Sequence, residues 1–170
     1  EEEEYIWMKS YLQLDGLVYK LVPIKTPENP INPYQMGRID SDKMYNIVKK
    51  WDWGNADSDQ IYHDPETRKN SISFRSNLTR LAEQLTKEDK PKKAIDILDL
   101  SMEKMPFEYF GYYSLLTPIV AAYYQADAND KAGALAEKIA FKYQDELKYY
   151  KTIGNANQRA YAEIILTDME

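Results

Sequence analysis

The sequence predicts a mainly α-helical fold of stacked helical hairpins, preceded by an irregular N-terminal segment with a short helix and one or two short strands. Two observations carry that prediction. Between Arg75 and Pro106 the residues Leu78, Leu81, Ala82 and Leu85 recur at helical spacing, and after a polar break Ala94, Ile95, Leu98, Ser101 and Met105 do so again. The pattern then returns. Leu116, Ile119, Val120, Tyr123, Ala132, Ala136 and Ile139 each stand 38 positions after Leu78, Leu81, Ala82, Leu85, Ala94, Leu98 and Ser101. A helical face recurring at a fixed period marks units that bury one another's apolar sides.

Prolines punctuate the first unit. Lys87 to Lys90 breaks the periodicity, and Pro91 suits a helix start because its missing N–H would be unpaired there anyway. Pro106 stops the second helix. Counted from Arg75, this pattern resembles a tetratricopeptide repeat. Its large, large, small and aromatic-type sites fall on Leu78, Leu81, Ala82 and Leu85, its second-helix packing sites on Ala94 and Leu98, its small site on Ser101 and its closing proline on Pro106. Leu replaces the usual Trp and Tyr. Such a unit has a period of about 34 residues, so the 38-residue spacing here leaves about one helical turn over. The surplus belongs in the aromatic run Phe107 to Tyr113. The second unit departs from the pattern at Gln144, where the closing proline is missing, and at Pro118, which either kinks the first helix or starts a new one capped by Thr117. The units span about 75–108 and 109–146 within a repeat region at 71–170, and a capping helix at 156–169 follows the Gly154-Asn155 stop signal.

Residues 1–70 are expected to pack on the repeats as a mixed segment. Glu1 to Glu4 favour a helix start running into Tyr5 to Met8, with Trp7, Tyr11 and Leu14 on one face. After the Asp15-Gly16 turn, Leu17 to Val22 alternates as a strand does. The prolines of 26–33 make a loop. Asp40 or Ser41 caps a short helix carrying Met44, Ile47, Val48 and Trp51. A short strand is expected at Gln60 to His63, and Asn70 or Ser71 is expected to cap the first repeat helix.

At 170 residues, with net charge −6 from 22 basic and 28 acidic residues and no basic run, the chain is a poor match for a nucleic-acid backbone. No apolar run approaches the length of a membrane span, so direct membrane insertion is not expected. With one histidine and no cysteine, metal clusters of ordinary spacing, thiol catalysis and disulfides have no residues to use. His63-Asp64 reads as a turn residue with a chance neighbour, and Asp96 and Asp99 read as a solvated helix face. No catalytic, cofactor or metal residue is assigned. The aromatics stand out: 15 tyrosines and three tryptophans, with tyrosine pairs at 112–113, 123–124 and 149–150. Adjacent helical residues point about 100° apart, so one tyrosine of each pair can pack while the other faces a groove.

Leu12–Pro30, Tyr45–Asn55, Ser71–Leu85 and Ala94–Pro106 together resemble the soluble C-terminal region of a family of large bacterial multi-spanning membrane proteins of unknown function. The membrane part of that family is similar to GT-C protein O-mannosyltransferases. The resemblance implies a fragment of the cell envelope, on the periplasmic face of the inner membrane, with any transferase residues in the membrane part. The acidic start without Met fits an excised segment. The expected function is a non-catalytic interaction module. Its partner would be a protein or peptide segment, including the parent's own membrane region, bound by Asn77, Arg80, Gln84, Tyr113, Thr117 and Tyr124 on the first helices. The alternative is glycan or acceptor recognition, with Trp51 and Trp53 as stacking platforms.

Overall fold

The computed structural model describes residues 2–27 and 35–153 of the chain. The expected cap helix at 156–169 with its Gly154-Asn155 signal, and most of the 26–33 loop, lie outside the described residues. A 3-10 helical stretch at Glu2–Tyr11 leads into strands β1 (Leu12–Asp15) and β2 (Val18–Leu21). The strands pair antiparallel, from Leu12 opposite Leu21 to Asp15 opposite Val18. Leu-Gln-Leu-Asp alternates and therefore joins the sheet, which leaves Leu14 fully buried in β1. The expected helical face of Trp7, Tyr11 and Leu14 is therefore not formed, and Trp7 is exposed. Arg38 closes the other edge of β1: the Leu14 N–H donates to its carbonyl and the Arg38 N–H donates to the Leu12 carbonyl, both at 2.9 Å.

Helix α1 (Ser41–Val48) starts as expected, with the Asp40 carboxylate accepting from the Lys43 N–H, and it buries Ser41, Met44 and Val48. Residues 60–63 form no strand. Among the described residues no neighbouring strand offers them a ladder, and the next element begins immediately. Asp64 caps α2 (Pro65–Lys87) by accepting from the N–H groups of Glu66 and Thr67, and Pro65 occupies the first turn. The helix thus starts earlier than Asn70 or Ser71. The Asp-Pro pair is a start signal here, because an aspartate cap followed by proline satisfies the N-terminus twice over.

Helix α2 and α3 (Pro91–Lys104) form the first hairpin. Leu78, Leu81, Ala82, Leu85, Ala94, Leu98, Ser101 and Met105 are all buried, as the periodicity requires, while Ile97 takes the core position expected of Ile95. Burying each of the larger aliphatic side chains is worth about 1.5–3 kcal/mol. The surplus turn is α4 (Phe107–Phe110). A 3-10 turn at Tyr113–Leu116 then leads to α5 (Thr117–Gln125), which pairs with α6 (Asn129–Ile153) as the second hairpin. Pro118 sits in the first turn of α5 and starts a new helix, and no side chain caps it. Leu116, Ile119, Tyr123, Ala132 and Ile139 are buried; Val120 and Ala136 are half-buried.

The two inter-helix turns are built alike. Asp89 and Asp127, 38 positions apart, both take a left-handed conformation, at φ +56° and +61°. The next amide in each case, Lys90 or Ala128, donates 2.9 Å back to the carbonyl of Leu85 or Tyr123, closing the helix in the Schellman manner. The described residues thus make a mainly α-helical fold of tetratricopeptide-like hairpins behind a segment with one short helix and two strands.

Candidate functional site

The N-terminal segment lies across α2. Three side chains assigned to partner binding from the sequence stand on or beside that contact. The Asn77 amide donates to the Gly16 carbonyl at 3.1 Å. The Arg80 guanidinium donates to the Tyr19 hydroxyl at 2.9 Å and to the carbonyls of Met36 and Gly37 at 2.7 and 3.1 Å. Gln84 donates to the Glu88 carboxylate at 2.8 Å and lines a cleft of about 380 Å³ between the segment and α2. Asn77 and Arg80 therefore already hold a peptide segment, and that segment belongs to the same chain.

The remaining three stand elsewhere. Tyr113 packs against Phe107 at a ring separation of 4.6 Å, with the Lys142 ammonium 5.7 Å from its ring centre. It lines a broad groove of about 710 Å³ with Phe107, Phe141 and the α6 residues Ala134 and Lys138. Thr117 and Tyr124 are exposed on α5, Tyr124 at 49%. The six residues are thus divided between α2, which the N-terminal segment crosses, and separate positions on or just before α5.

Trp51 and Trp53 meet edge to face at 5.3 Å, and both contact Phe74 of α2, at 5.6 and 5.7 Å. They are half-buried. Trp51 is committed to the fold, because its ring covers Gly16 so closely that a Cβ there would stand 2.6 Å from a ring carbon. Trp53 lines a mostly apolar cavity of about 360 Å³ with Ile61, His63, Phe74, Met105 and Phe110. His63 is buried and stacked 5.7 Å from Tyr109, and its Nε2 donates to the Ser58 carbonyl at 3.1 Å. Its neighbour Asp64 spends its carboxylate on the α2 cap, where hydrogen bonds from Thr67 lower its pKa.

Sequence reasoning missed three polar ties. Arg75 is 1% exposed. It donates to the Met105 and Gly111 carbonyls, each at 2.9 Å, and burial lowers its pKa to about 10. It joins α2 to the end of α3 and the end of α4. A charged residue opening an apolar run was the available signal. Asp96 and Asp99 do not form a free solvated face. Asp96 accepts from the Tyr45 hydroxyl at 2.7 Å and pairs with Lys49, linking α3 to α1. Asp99 accepts from Tyr123 at 3.0 Å and pairs with Lys131, linking α3 to α5 and α6. Burial beside that carboxylate drives the Tyr123 hydroxyl pKa far above its ordinary value. Among the described residues no group of three or more His, Cys, Asp or Glu is placed to hold a metal ion, and no helix is long and apolar enough to cross a membrane.

Residues 1–43 match the family model described as TMEM260-associated domain 2. The match covers the hairpin and reaches the first residues of α1, the segment laid across α2, and leaves the helical repeats outside it. No curated protein and no solved structure matches the chain.

Proposed function

We propose that this chain is a non-catalytic docking module, serving as the extracytoplasmic part of a larger membrane glycosyltransferase on the periplasmic face of the inner membrane. In this reading residues 1–70 cover one side of the repeat region at 71–170, and the repeats hold a protein segment on their other side, the parent's own membrane region being the first candidate. One observation carries it: α2 already holds the turn and loop backbone of the N-terminal segment through Asn77 and Arg80, by side-chain amide and guanidinium donors. The second hairpin keeps exposed aromatics, Tyr124 on α5 and Phe141 on α6. The test is a photo-crosslinking amino acid at position 124 in the full-length parent. The expected result is a specific cross-link to a protein segment. Labelling no stronger than from the exposed control position Lys92 would overturn the reading.

A second reading rests on the cavity beside Trp53. Its aromatic wall and a rim carrying Asp52, Asn55 and Asn70 suit one sugar ring, apolar face on the indole and hydroxyls on the rim. Glycan binding that quenches tryptophan fluorescence and is lost in Trp53→Ala supports this reading; no fluorescence change with any sugar tested removes it.

A further inference from the structure

We infer that the cleft between the N-terminal segment and α2 is a binding site for a small oxyanion ligand, a phosphate or carboxylate carried on a polar body. Among the described residues its wall brings together Arg38, Arg80 and Lys87 against one carboxylate, Glu83, in a chain whose net charge is −6. Ser10, Thr26 and Gln84 add neutral polar groups, and a volume of about 380 Å³ suits a ligand the size of a phosphorylated monosaccharide or a small di- or tricarboxylate.

The pairing pattern is the stronger argument. Among the described residues the ion pairs run through lysine: Lys20 and Lys43 meet Asp15, Lys49 meets Asp96, Lys90 and Lys93 meet Asp42, Lys104 meets Asp57, and Lys131 meets Asp99. The two arginines of the cleft are bonded to neutral partners instead. Arg38 donates to the Gln13 side-chain carbonyl at 3.2 Å, and Arg80 to a phenol and two backbone carbonyls. The Nε of Arg80 is buried with no partner. Two guanidiniums on one polar cleft, with no carboxylate bonded to either among the described residues, leave positive charge that an oxyanion can neutralise. Guanidinium also suits phosphate and carboxylate by geometry, presenting parallel N–H donors. The Nη groups of Arg80 hold the N-terminal segment, which fixes the guanidinium and its charge in the cleft wall. The inference stands whether or not a partner docks on the second hairpin.

The test is a titration of the 170-residue chain, followed by calorimetry and by amide chemical shifts, with inorganic phosphate, citrate, glucose 1-phosphate and, as the neutral control, glucose. Saturable binding of phosphate or of citrate, with shifts confined to residues around Arg38 and Arg80, supports the site; whichever of the two binds tighter identifies the oxyanion. Tighter binding of glucose 1-phosphate than of phosphate shows that the polar walls read the sugar body. Arg38→Gln should weaken binding about tenfold, the loss of one charge-assisted contact. Lys87→Gln, at an exposed residue in the last turn of α2, should weaken it about threefold and keeps the test valid if Arg38→Gln fails to fold. Glucose binding as well as glucose 1-phosphate, shifts that map elsewhere, or no saturable binding of any anion would overturn the inference.

Discussion

The two hairpins share a backbone plan and differ in what their equivalent positions do. The left-handed aspartates, the Schellman turns and the buried Leu/Ala positions repeat at a displacement of 38 residues. At the same displacement Asn77 becomes Leu115, Arg80 becomes Pro118 and the buried Arg75 becomes the half-buried Tyr113. The first hairpin therefore carries two arginines and an amide where the second carries a tyrosine, a proline and a leucine. Its α2 face is hooked to the N-terminal segment, while Leu115, at 42% exposure, and Tyr124 are left in the open. Most positions that pack are kept between the two units, and the positions that face outward decide whether the chain covers the surface itself.

Removing Arg75 should break this comparison most severely. Arg75→Ala leaves the Met105 and Gly111 carbonyls without their donor and opens a cavity at the junction of α2, α3 and α4. The expected loss is about 3–5 kcal/mol, from buried unsatisfied acceptors plus lost packing. Urea unfolding followed by circular dichroism would measure it; a loss below about 1 kcal/mol would show that the clamp is dispensable. The equivalent Tyr113→Ala should cost less, because the ring is only half-buried and holds no carbonyl.

Next in size is Gly16→Ala. Gly16 turns the β-hairpin at φ +76°, a conformation unfavourable to alanine, and the new methyl would stand 2.6 Å from the Trp51 ring. Strain plus displacement of Trp51 should cost about 2–3 kcal/mol. The damage should be local: hydrogen exchange should accelerate in β1, β2 and around Trp51, while α5 and α6 keep their protection. Uniform loss of protection would mean that the N-terminal cover and the second hairpin unfold as one unit.

The division between the readable and the unreadable follows the same line. Periodicity located most of the buried positions of both hairpins, with Ile97 in place of Ile95 and with Val120 and Ala136 only half-buried, because one apolar side chain per turn is a strong, local signal. Even the surplus turn after Pro106 follows from arithmetic on the repeat, and α6 runs past Gln144 to Ile153 because no proline stops it. The N-terminal side was harder to read. Asp64-Pro65 is equally a loop breaker and a helix start, and only the continuation from Glu66 onward decides between them. Asn77, Arg80 and Gln84 were legible as outward-facing polar residues of α2. That the chain's own hairpin would bond to the first two was not, because such pairings span 61 positions for Gly16 and Tyr19. Asp96 and Asp99 looked solvated for the same reason: their partners lie 51 positions upstream and 24 downstream. Long-range polar contacts leave no periodic trace.

The smallest expected effect concerns acid, and it sharpens the contrast between hairpins. Hydrogen bonds from Lys90 and then Lys93 lower the Asp42 pKa from 3.8 to about 2, and Lys104 holds Asp57 below its ordinary value in the same manner. Both carboxylates tie the segment before α2 to the first hairpin: Asp42 on α1 reaches Lys90 and Lys93 at 2.8 Å, and Asp57 reaches Lys104 at 2.8 Å. A depressed folded-state pKa means that the unfolded chain binds protons more readily. The stabilisation is therefore complete above the unfolded value near 3.8 and is lost as pH falls through about 2. Both groups are solvent-exposed, so screening keeps the effect small. Urea midpoints should fall between pH 5 and pH 2, and Asp42→Asn should flatten that fall while lowering the midpoint slightly at pH 5. Hydrogen exchange near pH 3 should then open α1 and the turn at Glu88–Lys90 before the Asp127 turn of the second hairpin. If both turns opened together in acid, the lysine pairs on Asp42 would not be what distinguishes the covered hairpin from the open one.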